Sequence, residues 1–385
     1  MNTKINVLQV IPKLGYGGAE TGCYDIAHYL KEKECGSFIA TSGGELLKFV
    51  NKEKVKIFKL PVHSKNPILV IINAIILSLI IIIFRINIVH ARSRAPAWAC
   101  YIACFLTNKV FVTTFHGTYN FKSKFKKFYN SVMVRARLTI AGSNFIFNHI
   151  SENYSEYLDN KKKLRVIFRG INVDYFNQKN ISILKQEKLK QEWKLSSNKF
   201  TILMPGRLTY WKGQEKFIES LNILIEDYDF TNFQAIMLGS EQGRTVYKKK
   251  LINLVERYNL NKKVQFINHC REMPLAYSLA DVVVSASIEP EAFGRVSVEA
   301  QSMAKPIVAS NIGGSKETIL NKKSGFLYKH DDPRELAKSL NTVIQLSQDE
   351  LKSMGNEGRK NIIKKFDVET MCDTNLNEYR KLLKK

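Results

Sequence analysis

At 385 residues the chain is too long for one ordinary hydrophobic core and suits two domains at roughly 150 residues each. Its composition, 45% apolar and 24% charged, excludes wholesale disorder and collagen-like repeats. The departure is charge: 59 Lys and Arg against 35 Asp and Glu leave a net +24, with +16 in residues 1–180 and +8 in 181–385, a balance that attracts nucleic acid, anionic lipid or phosphorylated substrates.

In chain order, the N-terminus carries too short an apolar run for a secretory signal, so the protein is expected to stay in the cytoplasm. Residues 5–11 read as a first buried strand, 21–33 as a helix, and 37–42 and 55–60 as further strands. Residues 68–84 follow, an apolar run broken only by Asn73 and Ser78, with Lys65 before it and Arg85 after it. As a helix it would be about 25 Å long, the lower limit for crossing a bilayer. A crossing would split residues 1–67 from the rest of an α/β domain. A helix packed in the domain or lying on a membrane surface is therefore expected, with a span as the alternative.

Strands are expected next at 86–91, 110–115 and 138–143, and the pattern restarts after a polar stretch at 172–199. The second series runs 200–206, 233–239, 263–268, 281–287, 306–311 and 325–328, with helices such as 213–227 and 246–260 between strands. Strands alternating with helices imply right-handed βαβ units and parallel sheets. The expected domains are 1–180 and 181–367. The six cysteines (Cys23, Cys35, Cys100, Cys104, Cys270 and Cys372) form no C-x-x-C pair and read as buried reduced thiols.

In such folds ligands bind at the carboxyl ends of the strands. After the first strand comes Gly15-Tyr16-Gly17-Gly18-Ala19-Glu20, whose glycines let backbone N–H groups approach an anion at a helix start. It is not G-x-G-x-x-G, and a plain tight turn is the competing reading. His116-Gly117-Thr118 follows the strand at 110–115; there an imidazole can hydrogen-bond sugar hydroxyls or developing charge, or be a satisfied structural group. Arg207 and Lys212, five residues apart after the strand at 200–206, suit a diphosphate, and no Walker sequence is present. Glu291 and Glu299 flank a glycine loop, with a helix expected to begin near Arg295 and the backbone N–H groups of Phe293, Gly294 and Arg295 near its start. One carboxylate can accept from the hydroxyls of a sugar and the other from those of a ribose.

The run Glu291-Ala292-Phe293-Gly294-Arg295-Val296-Ser297-Val298-Glu299-Ala300, with Gly206-Arg207 and Lys212-Gly213 upstream and Gly313-Gly314 and Glu317 downstream, resembles the retaining GT-B glycosyltransferases of family 4. The resemblance extends to Gly17-Gly18-Ala19-Glu20, His116-Gly117-Thr118 and the run from Arg169 to Phe176, and so covers nearly the whole chain. It implies two Rossmann-like domains facing a cleft, a nucleotide-diphosphate sugar held by the C-terminal one and an acceptor held by the N-terminal one. It also implies that a last helix near 368–383, within a C-terminal segment 368–385, crosses back to the N-terminal domain. Carried over by position, Arg207 and Lys212 bind the diphosphate, Glu291 the transferred sugar and Glu299 the ribose. Gly17 and Gly18 lie next to the phosphates, and His116 beside the transferred sugar. Lys305 stands where the family usually has Gly, which should alter a turn rather than the chemistry; Asn172 receives no role.

The resemblance further implies a front-face reaction in which the departing diphosphate takes the acceptor proton, with no metal and no cofactor beyond the donor substrate. Asp227-Tyr228-Asp229 matches the D-x-D metal signature of a different glycosyltransferase fold but lies at the wrong end of the sheet. The expected acceptor is a lipid-linked saccharide or polysaccharide, as in lipopolysaccharide or other cell-envelope synthesis. Two alternatives stand beside this reading: an epimerase-like relative acting on nucleotide sugars without transfer, and a basic nucleic-acid-binding protein. For the last, only 121–137 interleaves basic and aromatic residues, and no nucleic-acid motif appears, so nucleic acid is not expected as a partner. In that segment Phe121, Phe125, Phe128, Tyr129 and Val132 share helical spacing, with Lys124, Lys126 and Lys127 among them. An anionic membrane surface, met from the cytoplasmic side, is the expected partner of this basic and aromatic face.

Overall fold

The computed structural model describes residues 4–119, 123–158 and 163–384. The chain divides into two compact units, one of Met1–Gly170 with Val368–Lys385, the other of Ile171–Asp367.

The first unit contains β1 (Asn6–Val10), α1 (Gly18–Glu32), β2 (Gly36–Thr41), β3 (Lys56–Lys59), α2 (Pro67–Ile83), β4 (Ile88–Ala91), α3 (Arg94–Thr107), β5 (Val110–Phe115), α4 (Lys124–Ser131), β6 (Leu138–Ala141), α5 (Asn144–Asn153) and β7 (Leu164–Val166). Among the described residues its sheet is parallel throughout, in the order β3-β2-β1-β4-β5-β6-β7. Helices cover both faces of such a sheet, so β1 and β4 are apolar on both sides, and Val7, Leu8, Ile88 and Val89 are fully buried.

The second unit contains α6 (Ile183–Glu192), β8 (Phe200–Pro205), α7 (Gln214–Glu226), β9 (Phe233–Leu238), α8 (Thr245–Arg257), β10 (Val264–Ile267), α9 (Met273–Ser278), β11 (Val282–Ser285), α10 (Arg295–Ser302), β12 (Ile307–Ser310), α11 (Ser315–Thr318), β13 (Gly325–Tyr328), α12 (Pro333–Ile344) and α13 (Gln348–Lys365). Its parallel sheet runs β10-β9-β8-β11-β12-β13. The last helix, α14 (Val368–Leu383), returns to the first unit. There Tyr379 is fully buried, its hydroxyl 2.6 Å from His90 Nδ1, and Leu376 joins Ile26, Leu30 and Val112 in one core. His90 also meets Thr114 Oγ1 at 2.7 Å, and burial holds its ring neutral. It is a structural link, not a site residue.

Three expectations need correction. The polar stretch at 172–199, expected to hold the domain boundary at 180/181, belongs wholly to the second unit. Arg359 donates to the carbonyls of Val173 and Phe176, Phe176 packs against Tyr277, and α6 docks through Gln186 Nε2 on Ser278 Oγ at 3.0 Å. The units therefore divide between Gly170 and Ile171, ahead of the 180/181 position. The strand β7 was not expected, because Arg165 at its centre interrupts the short apolar run.

The third concerns the basic segment. Phe121 lies outside the described residues, and α4 covers eight residues only. The proposed single face divides: Phe125 is 77% exposed, whereas Val132 enters a 3-10 turn and is fully buried. Lys127 pairs with Glu156 at 3.2 Å, while Lys124, Lys126 and Arg137 are exposed.

The apolar run forms α2, started by Asn66, whose side chain accepts from the Ile68 N–H at 2.9 Å, with Pro67 as its first residue. One face, Asn73, Ala74, Leu77, Ile80 and Ile81, is buried. The opposite face, Ile68, Ile71, Ile72, Ile75, Leu79, Ile82 and Ile83, is exposed. No described helix is long and apolar enough to cross a membrane.

Candidate active site

The carboxyl ends of β8 and β11 carry the sequence-predicted cations and carboxylates of the second unit. After β8 the backbone turns at Gly206, and Gln214 Nε2 fixes Arg207 by donating to its carbonyl at 2.9 Å. A 3-10 turn (Tyr210–Lys212) then ends at Gly213, whose φ of +73° is left-handed. A Cβ on Gly213 would stand 1.9 Å from the Ala286 carbonyl oxygen, so only glycine lets this turn lie on the end of β11. That seating delivers Lys212 to Glu291: Nζ and Oε1 are 2.6 Å apart, and the side chains are 13% and 11% exposed.

Glu291 Oε1 also accepts from Ser287 Oγ at 2.5 Å. Burial pushes the Glu291 carboxyl up, but Lys212, the Ser287 hydroxyl and the more distant Arg207 together hold it below the usual carboxylate range. Its loop is fixed from outside: the Gly314 N–H donates to the Glu291 carbonyl at 2.7 Å, and a Cβ on Gly313 would stand 2.5 Å from that same oxygen.

The loop ends at Gly294, with φ +81°, and α10 begins at Arg295 without a side-chain cap. Phe293 turns its ring inward against Phe366, centroids 5.7 Å apart, so only its backbone faces the helix start. One turn on, Glu299 is nearly buried. Arg295 Nε donates to its Oε1 at 2.5 Å and Tyr277 to its Oε2 at 2.7 Å. Burial first, and then the Glu299 charge, push the Tyr277 phenol far up, which keeps it a donor.

The remaining predicted residues belong to the first unit. Gly17 is the N-cap of α1 and Gly18 its first residue; the Gly17 carbonyl accepts the Thr21 N–H at 2.9 Å. His116 directly follows β5. Arg169 Nη2 lies 2.8 Å from both its Nδ1 and its carbonyl oxygen. A guanidinium only donates, so Nδ1 accepts and the ring proton sits on Nε2, which is buried with no partner. Burial and then the charge of Arg169 hold the ring neutral, which makes His116 a hydrogen-bond donor rather than a base.

Sequence reasoning missed Ser287, Gln214, Tyr277 and Arg169. Ser287 lies just past a strand and four residues before Glu291, a position that the sequence pattern marks. Tyr277 sits in a six-residue helix with no pattern to mark it. Among the described residues no cluster of His, Cys, Asp or Glu could hold a metal; Asp227 of the D-x-D run instead pairs with Arg334 at 3.1 Å.

Residues 185–361 match the family described as glycosyl transferases group 1, and residues 16–175 match glycosyltransferase family 4. A solved glycosyltransferase from Rickettsia africae ESF-5 is 37% identical over 99% of both chains, with a TM-score of 0.91. HepE from Anabaena, solved with UDP and glucose, is 23% identical over 98% of this chain and all of its own, with a TM-score of 0.82, a likeness of fold. Among curated proteins, spore coat protein SA of Bacillus subtilis (strain 168) is 22% identical over 77% of this chain and 79% of its own length. The capsular polysaccharide biosynthesis glycosyltransferase CapM of Staphylococcus aureus is 27% identical over 51% and 52%.

Proposed function

The chain belongs to the group 1 glycosyltransferases and has their GT-B fold, and on that premise we propose that it moves a sugar from a nucleotide-diphosphate donor to a cell-envelope saccharide acceptor with retention of configuration. The observation that carries this reading is the Arg207, Lys212 and Glu291 arrangement at the β8 and β11 ends. Two cations at these strand ends suit the neutralising of a diphosphate leaving group, and one carboxylate is held ionised beside Lys212. Glu291 is engaged by Lys212 and Ser287, which suits positioning of sugar hydroxyls better than nucleophilic attack. The departing diphosphate then takes the acceptor proton, and the protein contributes orientation and charge neutralisation. Glu299, held by Arg295 and Tyr277, faces the ribose. The capsular polysaccharide role of CapM and the UDP bound to HepE are properties of those proteins, and they support an envelope acceptor and a nucleotide donor here.

The test is a screen of UDP-, GDP- and ADP-sugars with the purified chain, reading release of the nucleoside diphosphate. Arg207→Ala should lower turnover about 100-fold or more, the usual cost of losing one charge-stabilising donor, at unchanged thermal stability. Near-normal turnover would refute the diphosphate assignment.

A specific observation favours a membrane-borne acceptor. Seven large apolar side chains stand exposed along one face of α2, and Lys65, Arg85, Lys124 and Lys126 are exposed in the same unit. An apolar strip flanked in sequence by Lys65 and Arg85, in a unit that also exposes Lys124 and Lys126, suits peripheral seating on an anionic bilayer, each cation at such a surface contributing about 1 kcal/mol.

A further inference from the structure

We propose that the carboxyl edge of the first unit's sheet holds a phosphoryl group carried by the acceptor, through Arg92, Arg94, Arg169 and the Nε2–H of His116. This rests on the transfer reading above and names the acceptor's chemistry.

The position follows from topology. From β1 the chain proceeds towards β2 and β3, then returns past β1 to β4 and continues to β7. The order therefore reverses between β1 and β4, and in open parallel sheets the crevice at the carboxyl ends of such a strand pair is the favoured ligand position. Arg92 is the first residue after β4, and Arg94 opens α3. His116 is the first residue after β5. Arg169, beyond β7, runs across Gly142, where a Cβ would stand 3.2 Å from its Nε, and so reaches His116.

The chemistry follows from the partners. Arg92 is 4% exposed, its Nη1 donates to the neutral amide of Gln9 at 3.1 Å, and its Nε has no partner. Arg94 donates to the Asn130 amide at 3.0 Å and lies 4.0 Å over the Tyr119 ring. Among the described residues no carboxylate pairs with either. In the second unit, by contrast, Lys212 and Arg295 each have a glutamate. A shielded guanidinium without a counter-charge is costly, and it is accounted for when a ligand brings the negative charge. The buried, unpartnered Nε2–H of His116 is a further donor in the same group. The start of α3, where Ser93 makes no side-chain cap, adds positive potential. Planar guanidinium forks and N–H donors together match phosphoryl oxygens.

The shared chemistry has a second source, the donor's own diphosphate, so the experiment separates the two. Inorganic phosphate is titrated into the full chain and followed by 31P line broadening, with and without saturating UDP, GDP or ADP, whichever binds. The expected result is phosphate binding that survives saturation by the nucleotide. It weakens at least tenfold in Arg94→Gln and recovers partly in Arg94→Lys, with thermal unfolding of each variant confirming that the fold is kept; Arg94 is partly buried and holds Asn130 and Tyr119. Loss of phosphate binding on adding nucleotide would assign the anion to the donor and overturn the proposal, as would an unchanged titration in Arg94→Gln. Failure of all three nucleotides to bind would remove the transfer reading and, with it, the acceptor assignment; phosphate binding that still depended on Arg94 would show that the site itself stands.

Discussion

Replacing Lys212 by Met removes the cation from a pair that is 13% and 11% exposed and leaves the Ser287 hydroxyl donating to Glu291. Breaking a fully buried pair from one side costs about 3–5 kcal/mol, and the residual exposure here places the loss near 3 kcal/mol. For a domain of this size that is about 6–12 °C in the unfolding midpoint of the second unit, readable by fluorescence of Trp193 and Trp211. The pH dependence is the sharper readout. In the native protein Glu291 is depressed below its ordinary 4.5, so its contribution is present above that value and lost as pH falls through the lower folded value. In Lys212→Met burial dominates and raises the carboxyl, so the ionised form destabilises at neutral pH and protonation relieves it. The stability gap between the two proteins should therefore be widest at pH 7 and above and close towards pH 4. A gap that stays constant across that range, or a double variant with Glu291→Gln in which the two losses simply add, would refute the electrostatic account.

Tyr277→Phe removes the buried hydroxyl that holds Glu299 Oε2 and should cost about 1–3 kcal/mol of stability; it should raise KM for the nucleotide sugar several-fold with kcat little changed, measured by steady-state kinetics. Gly213→Ala forces a Cβ onto the Ala286 carbonyl at a left-handed φ, and should destabilise by more than about 1 kcal/mol and displace Lys212, so that unfolding midpoint and turnover fall together. Ile72→Asp with Ile75→Asp, at positions 43% and 53% exposed, should abolish flotation with anionic vesicles at unchanged thermal stability; the pair Lys124→Glu and Lys126→Glu should weaken it in a salt-dependent way. Unchanged flotation in both would end the membrane reading.

The fold was legible because its signals are local. Apolar runs such as 110–115 and 233–239, each closed by a turn, appear as β5 and β9, and the run at 68–84 appears as α2 nearly to the residue. What the run could not reveal was which side faces outward, since a helix that is isoleucine on every face carries no amphipathic mark. Only packing separates Leu77 and Ile81 from Ile75 and Ile82. The polar stretch at 172–199 failed for the opposite reason. Its hydrophilic composition reads as linker, yet Arg359, remote in sequence, supplies the hydrogen bonds that tie its carbonyls into the second unit.

The candidate site divides along the same line between local and distant causes. Glu291, Glu299, Arg207 and Lys212 were legible because short loops at strand ends carry them, and the loops themselves are recognisable by Gly213, Gly294 and the Gly313-Gly314 pair. Ion pairing was not, because Lys212 meets Glu291 only once β8 and β11 lie side by side, a register set by Val282 against Ile202 and Val283 against Leu203. In the sequence Arg169 only opens the run to Phe176 and carries no mark of a role. Its reach to His116 depends on β6 and β7 being neighbours of β5 and on Gly142 leaving room for the guanidinium to cross. That crossing fixes which nitrogen of His116 bears the proton, and so decides that the imidazole donates. A histidine at a strand end is legible in sequence; its chemistry is set by an arginine two strands away.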